Sequence, residues 1–236
     1  MRPRRRYYIH FAVSHLWGTT DEVLAQLFNP PLPHVIETAG LQLRCIGALK
    51  SPQDVRASAN DPPSFSDCSL TGLGELALCL SVGVRRCQLL TLALALGKGK
   101  IGILMVACME TGDPFELQHK RGLGEIELAN LKAHSVWLKH LSCEQSGSDL
   151  CGACNKYIEC FGQNDEFLNQ RWIASKHCLD QFQKVARDVA HRLLGFLQQP
   201  SRKEGAAEMI TQISDFHKIL EQVRPFDKIT VNELLA

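Results

Sequence analysis

The stretch Leu89–Cys108, LLTLALALGKGKIGILMVAC, decides what kind of fold the chain adopts. Leucines at 90, 92, 94 and 96 alternate strictly, and Gly97-Lys98-Gly99-Lys100 offers a turn into a second apolar run. The alternation predicts a buried β-hairpin over 88–109. The alanines and leucines argue the other way, for helix in at least part of it. The GKGK segment is not a phosphate loop, because the spacing G-x-x-x-x-G-K-[ST] is absent.

Upstream, YYIHFAVSHLW at 7–17 is short and rich in aromatic and β-branched residues, which predicts a first strand. Thr19 and Glu22 form a capping box ahead of VLAQLF, so a first helix follows, stopped by Pro30-Pro31-Leu32-Pro33. VIETAGLQLRCIGAL resumes a strand-like pattern, as two short strands or as one bent at Gly40. Residues 51–69 turn polar and rich in proline and serine, the composition of a long surface loop. LTGLGELALCLSVGV then has helical spacing. GLGEL at Gly72 and GLGEI at Gly122 are each suited to opening a helix, with glycine easing the entry and glutamate facing the positive helix end.

Downstream, IELANLKAHSVWLKHL is amphipathic at helical spacing, with Ile126, Leu128, Leu131, Val136, Trp137, Leu138 and Leu141 available for packing. From 164 to 199, Leu168, Trp172, Leu179, Phe182, Ala186, Val189, Leu193 and Phe196 recur every three or four residues. The pattern is that of one helix of about 50 Å, ended by Pro200. A shorter helix over 204–223 buries Met209, Ile213, Phe216, Leu220 and Val223, and Thr230 with Glu233 offers a last capping box. The fold class is therefore α+β. A mixed α/β part spans residues 1–139, a Cys/His cluster spans 140–160, and a helical region spans 161–236.

Composition narrows the function classes. With 45% hydrophobic and 22% charged residues, the 236-residue chain can bury a core. A net charge of +1 supplies no global field for a phosphate backbone or an anionic membrane. Of the ten cysteines, Cys45, Cys79, Cys87 and Cys108 lie inside apolar runs, where a reduced cysteine acts as a small core residue. The compartment is read as reducing, cytoplasm or nucleus. The basic head MRPRRR has the outline of a signal peptide or presequence, but His10 and His15 interrupt the apolar run, no small-residue cleavage pattern follows, and the arginines are bunched. A solvated tail or a nuclear localisation signal accounts for the same residues. No apolar run reaches the length of a membrane span without charges or glycines.

The segment HLSCEQSGSDLCGACNKYIEC, His140–Cys160, crowds four cysteines and a histidine together. Zinc takes four tetrahedral nitrogen or sulfur ligands, commonly as pairs two residues apart on a tight turn. His140 with Cys143 and Cys151 with Cys154 make two such pairs, so a structural zinc at the junction is expected. Cys160, or His177 with Cys178, are the alternative completing ligands. Cys151-Gly-Ala-Cys154 also differs by one residue from a thioredoxin-type motif, which needs its first cysteine at a helix start after a buried strand. The plain alternative is a set of separate reduced thiols.

Elsewhere, a G-x-S-x-G elbow, a dinucleotide fingerprint, an H-E-x-x-H helix and the zinc-deaminase pattern are all absent. His119, Lys120 and Arg121 form a basic patch beside Asp113 and Glu116, compatible with a phosphate grip or a solvated loop. The expected function is a non-enzymatic intracellular regulatory or scaffold subunit, with a zinc-held junction and a protein partner bound through the C-terminal helices. The competing classes are a nucleic-acid-associated zinc protein using the Arg2–Arg6 arm and an enzyme of unidentified type.

Overall fold

A computed structural model describes residues 24–50, 68–115, 124–160, 176–202 and 204–222. The expected first strand, the Thr19–Glu22 capping box, most of the 51–69 loop, the His119–Arg121 patch, residues 164–175 of the long helix and the terminal turn lie outside the described residues. What is described is mostly helical, with one small two-stranded sheet. Helix α1 spans Pro33–Cys45, and strands β1 (Leu49–Lys50) and β2 (Ser69–Leu70) follow. Helices α2 (Gly72–Leu80), α3 (Val84–Ala95) and α4 (Gly99–Thr111) come next, then α5 (Glu125–Ser146), α6 (Asp149–Cys160), α7 (Lys176–Leu197) and α8 (Ala207–Gln222). Among the described residues no single helix is long and apolar enough to cross a membrane. The chain divides into two units, Met1–Thr91 and Leu92–Ala236. Residues 140–160 therefore lie inside the second unit.

In the first unit, α1 replaces the strand expected over 35–45. Pro33 sits in the first turn, where its missing N–H costs nothing, so the residue read as a breaker is the helix start. Gly40 is buried inside α1 and makes no bend. Gly47, at φ 81°, turns the chain out of the helix, and only Leu49–Lys50 is strand, antiparallel to Ser69–Leu70. Thr71 then caps α2. Its hydroxyl donates to the carbonyl of Gly47 (2.7 Å) and accepts from the N–H of Gly74 (3.2 Å), tying the helix start to the sheet. Leu43, Ala48, Leu49 and Cys68 form the small core beneath.

The hairpin expected over 88–109 is overturned: the segment forms α3 and α4, joined at Gly97 (φ 68°). The reason lies in the periods. Strict alternation contains the i,i+4 spacing of a helix, so Leu90 and Leu94 share a buried face while Leu92 and Leu96 stand 60% and 67% exposed. With alternation ambiguous, the helix propensity of alanine and leucine decides.

In the second unit, α4 runs through the core and packs against α6, α7 and α8. Gly102, Ile103, Leu104, Val106, Ala107 and Cys108 are buried around its circumference, which is why its sequence shows no amphipathic period. Helix α7 presents the expected stripe. Leu179, Phe182, Ala186, Val189, Leu193 and Phe196 are buried, and the helix contacts α4, α6 and α8. Ile213, Phe216 and Leu220 of α8 are buried in the same core. The apolar stripe of α7 is thus covered inside its own unit.

Candidate functional site

The Cys/His segment, read as a loop with tight turns, is helical apart from Gly147-Ser148. Helix α5 continues to Ser146, and Gly147 in the left-handed region (φ 68°) ends it. Helix α6 folds back along it. Their approach is close at Gly152, where an added Cβ would lie 3.1 Å from the backbone carbonyl of Ser142. The Ser142 hydroxyl donates to the Gly152 carbonyl at 3.1 Å. An i,i+3 pair on a helix shares a face just as a pair on a turn does, so the spacing alone does not separate the two.

Both helices meet the chain leaving α4. Asp113 accepts from the N–H of Phe115 (3.0 Å) and forms an ion pair with Lys139 of α5 (2.5 Å). The hydroxyl of Ser135, the one buried residue of α5, donates to the Phe115 carbonyl. From α6, the Tyr157 hydroxyl reaches the Gly112 carbonyl at 3.4 Å. These contacts border a cleft of about 240 Å³ lined by Cys108, Met109, Asp113, Phe115, Lys139 and Asp149, among others. In the sequence this corner is marked only by the Gly112-Asp113-Pro114 stop after an apolar run, a signal the sequence reading passed over, and its partner Lys139 carries none.

The surroundings of this corner raise the pKa of three of its thiols, Cys108, Cys154 and Cys143. Burial pushes Cys108 up to about 12, with Asp113 adding to it. Burial likewise pushes Cys154 up to about 12, with Cys108 and Cys151 contributing. Cys143 is raised by its own desolvation and by a hydrogen bond to Asp149. Lys139 is raised chiefly by its hydrogen bond to Asp113. Cys151 lies in the first turn of α6, but the element before that helix is α5, so the buried strand that a thioredoxin-type motif needs is missing among the described residues.

The expected zinc ligands do not come together as a set of four. His140 points outward from α5, its side chain 78% exposed and its Nδ1 3.9 Å from Glu144 of the next turn. Cys143 bonds Asp149, Cys151 is half-buried, and Cys154 is buried beside Cys108. Of the alternatives, Cys178 is half-buried on α7, and the side chains of Cys160 and His177 lie outside the description. Among the described residues no group of three or more His, Cys, Asp or Glu side chains is arranged to hold a metal ion.

Single substitutions at the CGAC pair separate two pictures of it. Cys154→Ser is expected to cost about 1–3 kcal/mol, because it places a hydroxyl in a desolvated site, whereas Cys151→Ser stays within about 0.5 kcal/mol. Equal losses accompanied by release of bound zinc, measured by mass spectrometry and denaturation together, would restore the zinc set. The pH dependence has a definite sign. The unfolded chain loses the Cys108 and Cys154 protons near 9 and the folded chain near 12, so stability falls as pH rises through that window.

The second feature is α5 itself. Leu128, Leu131, Ser135 and Leu138 face inward, yet Ile126, Val136, Trp137 and Leu141 stand out on the opposite side, with Trp137 57% exposed. His134 stacks on Trp137 at 5.8 Å between ring centroids. Four large apolar side chains of α5 thus lie outside its packed side. No protein-family model and no curated protein matches this chain.

Proposed function

We propose that the chain is a non-catalytic binding subunit that receives a partner helix along the outer face of α5. The observation that supports this is the double apolar face of α5, with Ile126, Val136, Trp137 and Leu141 exposed at helical spacing. Trp137 and Leu141 stand one turn apart on the same side of the helix, with Ile126 three turns before Trp137, and tryptophan is among the residue types that most often anchor an interface. The C-terminal helices, the surface expected from the sequence, bury their stripe among α4, α6, α7 and α8. The partner surface is accordingly assigned to α5. A zinc-held version of the α5–α6 hairpin is the finer form of this reading, and the metal analysis above tests it separately.

The direct test places a photo-crosslinking amino acid at Trp137 and, as a control, at the exposed Lys184 of α7. Discrete protein adducts from position 137 and none from 184 are expected. Trp137→Ala is expected to weaken the captured complex about 30-fold, as removal of a 2 kcal/mol anchor does, with unchanged thermal stability of the free chain. Equal adducts from both positions, or an affinity that Trp137→Ala leaves unchanged, would remove α5 as the binding face. A complex made instead through Arg2–Arg6 to nucleic acid would weaken steeply with added salt, whereas the α5 contact is nearly salt-independent.

A further inference from the structure

We propose that the corner joining α3 to α4 is a peripheral membrane-contact site that takes an anionic lipid surface, separate from the α5 face. Leu92 and Leu96 stand one turn apart and are 60% and 67% exposed, and Ile101 in the first turn of α4 is 39% exposed. Lys98 and Lys100 lie between Leu96 and Ile101. The N–H groups of Leu96, Gly97 and Lys98 donate to the carbonyls of Leu92, Leu94 and Ala93 at 3.1, 3.0 and 2.7 Å, closing the end of α3 with Gly97 in the left-handed region. The corner is thus fixed in shape. Leu94 and Gly99 are buried beneath it, and a Cβ on Gly99 would lie 2.9 Å from a methyl of Leu94. With the inner side filled, Leu92 and Leu96 keep to the outside. Ala95, Leu96, Gly97 and Lys98 are four successive exposed residues, so the corner projects.

Charge selects the occupant. Between Glu75 and Glu110 the chain holds no acidic residue, although it has 25 in all. Lys98 is exposed and Lys100 half-buried, and among the described residues neither is joined to a carboxylate. A protein partner would have to set acids opposite two flexible lysine stems and shape a groove around a projecting tip. A headgroup layer supplies phosphates wherever the ammonium groups reach, while the leucine and isoleucine side chains enter the acyl boundary. The combination therefore favours a lipid surface. The whole-chain charge of +1 hides this local excess, because acids far along the chain cancel it in the sum.

The test uses the full chain with Arg4, Arg5 and Arg6 replaced by glutamine, so that the basic arm supplies no lipid contact. Flotation is measured with vesicles of phosphatidylcholine alone and of phosphatidylcholine mixed with phosphatidylserine. Binding to the mixed vesicles and little to the neutral ones is expected. Lys98→Gln and Lys100→Gln should each weaken it about fivefold, and added salt should weaken it further. Leu92→Ser plus Leu96→Ser should weaken it by about tenfold or more, with Tm unchanged because both positions are exposed. Trp137→Ala should leave it unchanged. No flotation with either vesicle would overturn the proposal and leave the corner to a protein partner. Equal binding to neutral and anionic vesicles, or a leucine variant that binds as well as its parent, would overturn it too. Binding lost in Trp137→Ala would move the lipid contact to α5.

Discussion

Replacing Phe182 by alanine is expected to destabilise the second unit by about 3–5 kcal/mol, the range for emptying a buried aromatic site. Phe182 is fully buried on α7, and its ring lies flat on that of Tyr157 from α6, with centroids 4.5 Å apart and planes within 5°. The substitution removes apolar area and the stacked contact together, and Tyr157 is itself fully buried, so little can collapse into the space. A domain is typically stable by about 5–15 kcal/mol, which makes this a third or more of the total. Urea denaturation followed by far-ultraviolet circular dichroism reads the change. Tyr157→Phe is the contrast: it keeps the stacked ring and removes the hydroxyl that meets the Gly112 carbonyl at 3.4 Å, so it should cost about 1 kcal/mol. A Phe182→Ala loss as small as that would mean that α6 and α7 are not packed as described.

Gly74→Ala is expected to destabilise the first unit by about 3 kcal/mol, although in an exposed helix interior the same change gains about 1 kcal/mol. A Cβ at this position would lie 2.4 Å from the carbonyl oxygen of Ala48 and 2.8 Å from a methyl of Leu70. The nearer atom is backbone, and it already accepts the N–H of Thr71 at 3.1 Å, so it cannot move without breaking the tie between α2 and the sheet. Gly72, two residues earlier in the same helix, has nothing within 4 Å of its would-be Cβ. Gly72→Ala should therefore be neutral or stabilising by up to about 1 kcal/mol. Hydrogen exchange at Thr71 and at the Leu49–Leu70 pair localises the effect. Equal behaviour of the two alanine variants would contradict the close approach at Gly74.

The Gly72 and Gly74 pair marks how far the residues alone could be read. GLGEL announces a helix start, and GLGEI does so again before α5, where Glu127 accepts the N–H of Gly124 at 3.2 Å. Which glycine is required for contact depends on Ala48, which no local pattern connects to it. The candidate site repeats the difficulty. His140, Cys143, Cys151 and Cys154 have the spacing of ligand pairs, but that spacing is also one helical turn. Rotation about the axes of α5 and α6 turns His140 to solvent and Cys154 to the core.

The sequence by itself determined the helical character of 176–197 and 207–222, the apolar stripe from Leu179 to Phe196, the helix opened at GLGEL and the want of any global charge for a polyanion. These are matters of short-range spacing and backbone preference, which act within a turn or two of chain. Only the tertiary structure decided that α4, α6 and α8 cover the stripe of α7. It also decided that α5 keeps a second apolar face exposed. Local spacing says which side chains share a face. Burial against residues far along the chain chooses which face is covered, and that choice carries most of the free energy of apolar burial.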